Sequence, residues 1–194
     1  SVRAVINLAI REHGLSVTNV FSGTFIPDDE VKKKRLPIPT EALLGTQQEC
    51  MALDDQPSWL IALISNTGMR LSEACGLRAR DIHLNGDTPY INLVEHPWRR
   101  LKTTSSSRQV PLVGASLWAA QRIKDAGSAF AFPKYCSEAK YNANSPSAAL
   151  NKWPKQTIGD GYVMHSFRHS MRDRLNAVNC ASAMIDQIGV WSSG

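Results

Sequence analysis

The chain has 194 residues, 43% of them hydrophobic, which is enough for one domain with a substantial core. Lys and Arg (22) outnumber Asp and Glu (17), and the net charge of +5 is compatible with a polyanionic partner without requiring one. No apolar run reaches membrane-spanning length, the N-terminus has no signal-peptide pattern, and the four cysteines form no CxxC pair, which predicts a cytoplasmic protein with reduced thiols.

The first predicted element is a helix, VRAVINLAIREHG, with apolar residues on one face and Gly14 as its stop. The stretch LSVTNVFSGTFIPDDEVKKKRLPIP follows, with little periodicity and three prolines, and predicts a linker or arm. We interpret its KKKR run as a solvated surface rather than a nuclear address. Because the chain opens at Ser1 and stops at VWSSG, we expect it to be part of a longer protein.

Three helices are predicted next. Thr40 is the expected N-cap of one that runs to Met51, and Ser58 that of an apolar helix, WLIALISNT, ended by Gly68. The stretch RLSEACGL starts the third.

The period then changes to two. RDIHL and YINLV flank an Asn-Gly-Asp turn and predict a hairpin, and RQVPL supplies a third strand. Helical patterns resume at ASLWAAQRIKDAG, SPSAALNKW, HSFRHSMRDRLNAV and ASAMIDQIG. The predicted fold is mainly α with a small three-stranded antiparallel sheet.

Two short stretches could bind an anion. In TGMRLSEACGL, Arg70 lies at a helix start, where backbone N–H groups and a guanidinium favour phosphate, and Glu73 could hold it in place. An ordinary i,i+3 ion pair explains the same residues. In WRRLKTTSSSRQVPL, Lys102 lies in a polar turn and could act as a point charge and proton donor, or be a solvated turn lysine.

The stretch HSFRHSMRDRL is more informative. At helical spacing, a basic face is formed by His165, Arg168, His169 and Arg172. The adjacent apolar stripe, expected to dock on the core, is Phe167, Met171, Leu175 and Val178. Charge at such a border is costly unless an anion meets it. A metal site at the two histidines is disfavoured because Arg168 lies between them.

The chain resembles the tyrosine recombinase (phage integrase) family in the order of four motifs. These are Arg70 after a Gly turn, a hairpin lysine, HxxR and a final GVW. TGMRLSEACGLRARDI is similar to its first-arginine motif, LKTTSSSRQVPL to its lysine hairpin, and HSFRH to its HxxR box. The resemblance implies a catalytic domain at residues 40–194. Residues 1–39 would be the end of a core-binding-domain helix and the interdomain linker.

The resemblance implies site-specific recombination through a 3′-phosphotyrosine, without metal or ATP, on double-stranded attachment-site DNA and as a tetramer. Arg70 and Arg168 would bind the nonbridging oxygens, His165 and Trp191 would donate hydrogen bonds, and Lys102 would protonate the leaving 5′-oxygen. A packing role for Trp191 remains open. Glu73 and His169 would support the site. Candidates for DNA-backbone contacts are Arg99, Arg100, Arg172 and Arg174, the last two alternatively being solvated.

One departure concerns the nucleophile. All four tyrosines precede HSFRH: Tyr90, Tyr135, Tyr141 and Tyr162. None matches the family's tyrosine position, so we predict that these 194 residues cannot cleave DNA. A non-catalytic DNA-binding module and a type IB topoisomerase-like enzyme remain as alternatives.

Overall fold

The structure, a computed structural model, describes residues 2–24, 36–101, 106–138 and 144–191. The chain divides into two compact units, Ser1–Lys34 and Arg35–Gly194. In the first unit, helix α1 (Val2–Glu12) ends before Gly14, whose φ of +57° lies in the left-handed region that glycine adopts without strain. The predicted N-terminal helix and its stop are confirmed.

The second unit contains the remaining helices and the sheet. Its described helices are α2 (Thr40–Leu53), α3 (Gln56–Thr67), α4 (Leu71–Cys75), α5 (Gly114–Asp125), α6 (Asn144–Leu150), α7 (Lys152–Thr157), α8 (Met164–Ala177) and α9 (Ser182–Gly189). A 3₁₀ turn, Ala79–Asp81, leads into the sheet. The strands are β1 (Ile82–His83), β2 (Tyr90–Leu93) and β3 (Arg108–Pro111).

Helix α3 is the centre of the core and packs against α2, α5 and α8. Its middle is apolar on every side, with Leu60, Leu63 and Ile64 at most 1% exposed. Each such side chain contributes about 1.5–3 kcal/mol when it is fully buried. Because α2, α5 and α8 all pack on this helix, their positions are fixed relative to it and to the loops at its two ends.

The predicted N-caps of α2 and α3 are wrong by a few residues. Pro39 holds the N-cap position of α2, and Thr40 is the first helical residue. Asp55, not Ser58, caps α3, because its carboxylate accepts a hydrogen bond from the Ser58 N–H at 2.9 Å. Pro57 fits the first turn that this cap opens, since a missing N–H is harmless there.

The sheet is antiparallel in the order β1-β2-β3, as predicted. Ile82 pairs with Ile91, and Ile91 pairs with Val110, so one apolar row crosses all three strands and faces the core. The fold class, mainly α with a three-stranded antiparallel sheet, is confirmed.

All four cysteines are free thiols, as the sequence predicts. Burial raises the pKa of both Cys50 and Cys75 to about 12, which keeps these thiols protonated and unreactive at neutral pH. No helix in the described part of the chain is long and apolar enough to cross a membrane.

Candidate functional site

The turn between α3 and α4 places Arg70 at a helix N-terminus. Gly68 ends α3 with a φ of +61°, and its N–H donates to the Ile64 carbonyl at 3.0 Å. A Cβ on Gly68 would lie 3.1 Å from Cβ of Met171, so the glycine also lets α8 approach the turn. The chain therefore enters α4 directly beside α8.

Glu73 holds Arg70 through both carboxylate oxygens. Oε2 accepts from the Arg70 backbone N–H at 2.9 Å, and Oε1 accepts from Arg70 Nη1 at 2.6 Å. The Glu73 side chain is 3% exposed, whereas that of Arg70 is 22% exposed. The ion pair that the sequence suggested is therefore real, but it is anchored inside the protein and its guanidinium remains open to solvent.

Arg108 is a second partner of Glu73, and sequence analysis missed it. Its Nη2 donates to Glu73 Oε2 at 3.1 Å, and its side chain is 5% exposed. The available signal was strand alternation: Val110 faces the core, so Arg108, two residues earlier on the same strand, must point to the same face. An arginine at an inward position needs a buried partner.

Arg168 of α8 is buried in the same region, with 3% of its surface exposed. Its Nη1 donates to the Gly68 carbonyl at 2.7 Å, and its Nη2 donates to the Gly189 carbonyl. Its guanidinium carbon lies 4.7 Å from the centroid of the Trp191 ring, a cation–π arrangement. One guanidinium thus joins the end of α3 to the end of α9.

Arg70, Glu73, Arg108 and Arg168, which we call the Glu73 cluster, contain three guanidinium groups and one carboxylate. Burial would raise the pKa of Glu73, but the charge of Arg108 and the hydrogen bonds from both arginines lower it below its ordinary value. Burial, and next the charge of Arg70, lowers the pKa of Arg168 to about 10. Both groups are charged at neutral pH, and the excess of positive charge favours an anion.

The two histidines of HSFRH lie on the same helix as Arg168. Their rings meet edge to face with centroids 4.9 Å apart, and both are partly exposed. The predicted apolar stripe of α8 holds for Phe167, which is fully buried. It fails at Val178, which is 72% exposed because α8 ends at Ala177 and the chain turns away.

Of the four candidates for DNA-backbone contacts, Arg99 is turned inward and Arg174 is half-buried. Arg99 is 1% exposed and donates to the carbonyls of Glu73 and Val94. Arg174 donates to the Ser65 carbonyl at 2.8 Å, where it satisfies the end of α3, and burial lowers its pKa. These guanidinium groups stabilise the fold.

The remaining candidates are less constrained. Arg100 is exposed and Arg172 partly exposed, so both remain accessible to an external partner. Lys102 lies outside the described residues.

A second cluster, of charged and aromatic side chains that are buried or half-buried, lies at the start of the sheet. This cluster joins the 3₁₀ turn to the loop before the Lys102 stretch. We call it the Asp81 cluster, and its members are Arg78, Asp81, His96, Trp98 and Phe130. Asp81 Oδ2 contacts His96 Nε2 at 2.7 Å and accepts from the Arg78 N–H at 2.9 Å. The Arg78 guanidinium carbon lies 4.7 Å from the Trp98 ring centroid and 5.2 Å from that of Phe130.

Comparison with solved structures supports the observed fold. The chain is 17% identical to the Tn1549 transposon integrase in complex with a circular intermediate DNA, covering 98% of this chain and 69% of that one, with a TM-score of 0.68. The chain is 15% identical to XerA recombinase, covering 95% of this chain and 63% of that one, with a TM-score of 0.60. It is 17% identical to the lambda integrase in a tetramer bound to a Holliday junction, covering 98% of this chain and 56% of that one, with a TM-score of 0.62.

Sequence comparison gives the family. Curated protein sequences contain no match to this chain. The profile of the Phage integrase family matches residues 40–194, a segment that contains the whole Glu73 cluster and Trp191. The chain belongs to the phage integrase family.

Proposed function

We propose that this chain is the catalytic domain of a site-specific DNA recombinase and that the Glu73 cluster binds the scissile phosphodiester. The observation that carries the proposal is the three-to-one excess of guanidinium groups over carboxylates at one partly open site. A phosphodiester supplies the missing negative charge, and its planar pairs of oxygens fit the guanidinium fork. The family membership and the DNA-bound state of two of the compared structures support DNA as the phosphate's source.

In this proposal, Arg70 and Arg168 stabilise the charge that builds on the nonbridging oxygens in the transition state. His165 and Trp191 donate hydrogen bonds to the same oxygens, and Lys102 protonates the leaving 5′-oxygen. Glu73 fixes Arg70, and His169 supports His165 through their ring contact. The stack of Trp191 on Arg168 supports a role for the indole at the phosphate as well as in packing.

The proposed reaction proceeds through a 3′-phosphotyrosine without metal or ATP, because the covalent link preserves the free energy of the broken bond. The described tyrosines are engaged elsewhere: Tyr90 stacks on His83, Tyr135 is buried, and Tyr162 packs against the core. Tyr141 lies outside the described residues. We propose that residues 1–194 alone bind DNA without cleaving it, and that the full-length protein works as a tetramer on DNA in the host cytoplasm.

The test starts with the 194-residue chain and random-sequence duplexes, from which retained sequences define a binding site. A nicked duplex that carries this site is then incubated in EDTA with the full-length protein that the gene encodes. We expect a covalent protein–DNA adduct. Binding without an adduct would favour a non-catalytic DNA-binding module, and a strict Mg²⁺ requirement would reject the metal-free scheme.

Arg168→Ala is the matched variant for this assay. We expect adduct formation to fall by more than about a hundredfold, because the guanidinium acts mainly in the transition state. Binding of the same duplex should change far less. Equal losses of binding and of cleavage, in a variant whose thermal unfolding shows it to be folded, would make Arg168 an ordinary backbone contact.

A further inference from the structure

Arg108 is connected to three separate segments of the protein, one through each of its nitrogen atoms. Nε donates to the Ile188 carbonyl at 2.8 Å, Nη1 to the Ser106 carbonyl at 2.9 Å, and Nη2 to Glu73 Oε2 at 3.1 Å. The first partner belongs to α9, the second borders residues 102–105, and the third belongs to α4. No other element needs to mediate these connections.

Two of the three segments, α4 and the end of α9, carry or hold residues of the proposed phosphate site. Glu73 holds Arg70 through its backbone N–H and its guanidinium. Ile188 precedes Gly189, whose carbonyl accepts from Arg168. Three residues after Ile188, Trp191 stacks on the same guanidinium. Arg108 therefore connects α9 directly to the carboxylate that holds Arg70.

We propose that Arg108 is a positioning residue that holds Glu73, and through it Arg70, in a fixed relation to α9, and through it to Arg168 and Trp191. The inference rests on the proposed phosphate site, and it adds a residue that acts on that site without contacting the phosphate. Each of the three nitrogen atoms of Arg108 already donates to a protein oxygen, including Nε, and these bonds tie its guanidinium to α4, α9 and the Ser106 carbonyl.

The three-way geometry requires a guanidinium. Its planar fork presents donors in fixed, diverging directions, so each bond restrains the direction of the other two. A lysine has the same charge, but its three N–H donors start from one nitrogen atom and cannot reproduce bonds that start from three separate nitrogens. Charge neutralisation of Glu73 and positioning of α9 can therefore be separated experimentally.

The experiment uses the 194-residue chain and two measurements. The first is the indole ¹H–¹⁵N signal of Trp191, assigned with Trp191→Phe, which reports the placement of the end of α9 without any ligand. The second is the affinity for inorganic phosphate, measured by titration of the same spectrum. The variants are Arg108→Gln, Arg108→Lys and the double variant Glu73→Gln/Arg108→Gln.

We expect Arg108→Gln to move the Trp191 signal and to weaken phosphate binding at least about tenfold, since preorganisation is lost. Arg108→Lys, which keeps the charge and protects folding, should also move the signal. The double variant removes the unpaired carboxylate, and its Trp191 signal should still be displaced. Arg78→Gln is the control, because it removes another partly buried arginine and should leave the Trp191 signal in place.

Several results would overturn the proposal. A wild-type Trp191 signal in Arg108→Lys or in the double variant would mean that Arg108 only neutralises Glu73. Weaker phosphate binding with an unmoved signal would make Arg108 a direct ligand, and an equal displacement in Arg78→Gln would make the effect nonspecific. If the wild-type chain binds no phosphate while the signals behave as expected, the proposed function fails and the positioning role stands.

Discussion

The Glu73 and Asp81 clusters are built on the same local pattern and differ in what surrounds it. In RLSE and RARD, an arginine holds the N-cap position, and the acidic residue three positions later accepts from its backbone N–H at 2.9 Å. In each cluster an arginine also lies 4.7 Å from an indole ring. Local sequence therefore does not distinguish the proposed phosphate site from a structural ion-pair cluster.

The difference lies in long-range partners. Asp81 is paired with His96, and Arg78 is covered by two aromatic rings and bound to Glu138 at 2.6 Å, so that cluster has little unpaired charge. Glu73 instead receives Arg108 from β3, and Arg168 arrives from α8. These two added guanidinium groups are what distinguishes the proposed phosphate site from an ordinary helix-start ion pair.

Neutralising the two carboxylates, Glu73 and Asp81, should give the largest difference between the clusters. Glu73→Gln removes the carboxylate that pairs with Arg70 and Arg108, and we expect the free energy of unfolding to fall by about 3–5 kcal/mol. Asp81→Asn keeps one acceptor oxygen for the Arg78 N–H and should lower the free energy of unfolding by only about 1–2 kcal/mol. Urea unfolding of both variants measures the difference. Equal losses would contradict the distinction between the clusters.

Acid titration acts on the same carboxylate with a milder change. Because the pKa of Glu73 is lowered on folding from its ordinary value of 4.5, its stabilisation is fully present above that pH and is lost as pH falls through the folded-state pKa. The difference in unfolding free energy between wild type and Glu73→Gln should therefore be constant from pH 7 to pH 5 and shrink below pH 4.5. A difference that is unchanged at lower pH would show that the pKa is not lowered.

The sequence predicts the elements well because their signals are local. The period-two strands, the apolar α3 and the glycine stop at Gly68 all follow from spacing within a few residues, and each is confirmed. The resemblance identified the family from short motifs in a fixed order. What spacing does not supply is which arginine reaches which partner, since Arg108 and Glu73 are 35 residues apart.

The placement of Arg99 has the same origin. Arg99 was a candidate for a DNA-backbone contact, yet it is 1% exposed and donates to the carbonyls of Glu73 and Val94. Strand alternation would have placed Arg108 on the inward face of β3 but could not have named Glu73 as its partner. Burial of a cation is thus predictable from pattern only where the neighbouring element is also known.

The two arginine–indole pairs can be separated with a smaller change. Trp191 lies against Gly189, where any Cβ would collide with the indole ring, whereas Trp98 is held by the His96 stack and a hydrogen bond to Gly76. Gly189→Ala should displace the indole from Arg168, lower stability by about 1–3 kcal/mol and leave the Trp98 pair intact.

Indole NMR signals and thermal unfolding measure this outcome. Gly45→Ala is the matched control, since a Cβ added at that position would have no atom within 4 Å and alanine should stabilise α2 by about 0.5–1 kcal/mol. An unmoved Trp191 signal in Gly189→Ala would mean that the ring is not held by that glycine.

The smallest expected effect tests whether the Asp81 cluster is already electrically satisfied. Glu138 is 74% exposed, so Glu138→Gln should change the free energy of unfolding by less than about 1 kcal/mol, and less still at high salt. Arg78 keeps its place between the Trp98 and Phe130 rings, whose faces partly compensate its charge. Urea unfolding at low and high salt measures the change. A loss as large as that of Glu73→Gln would mean that Arg78 depends on Glu138 for compensation, and the second cluster would then also favour an anion.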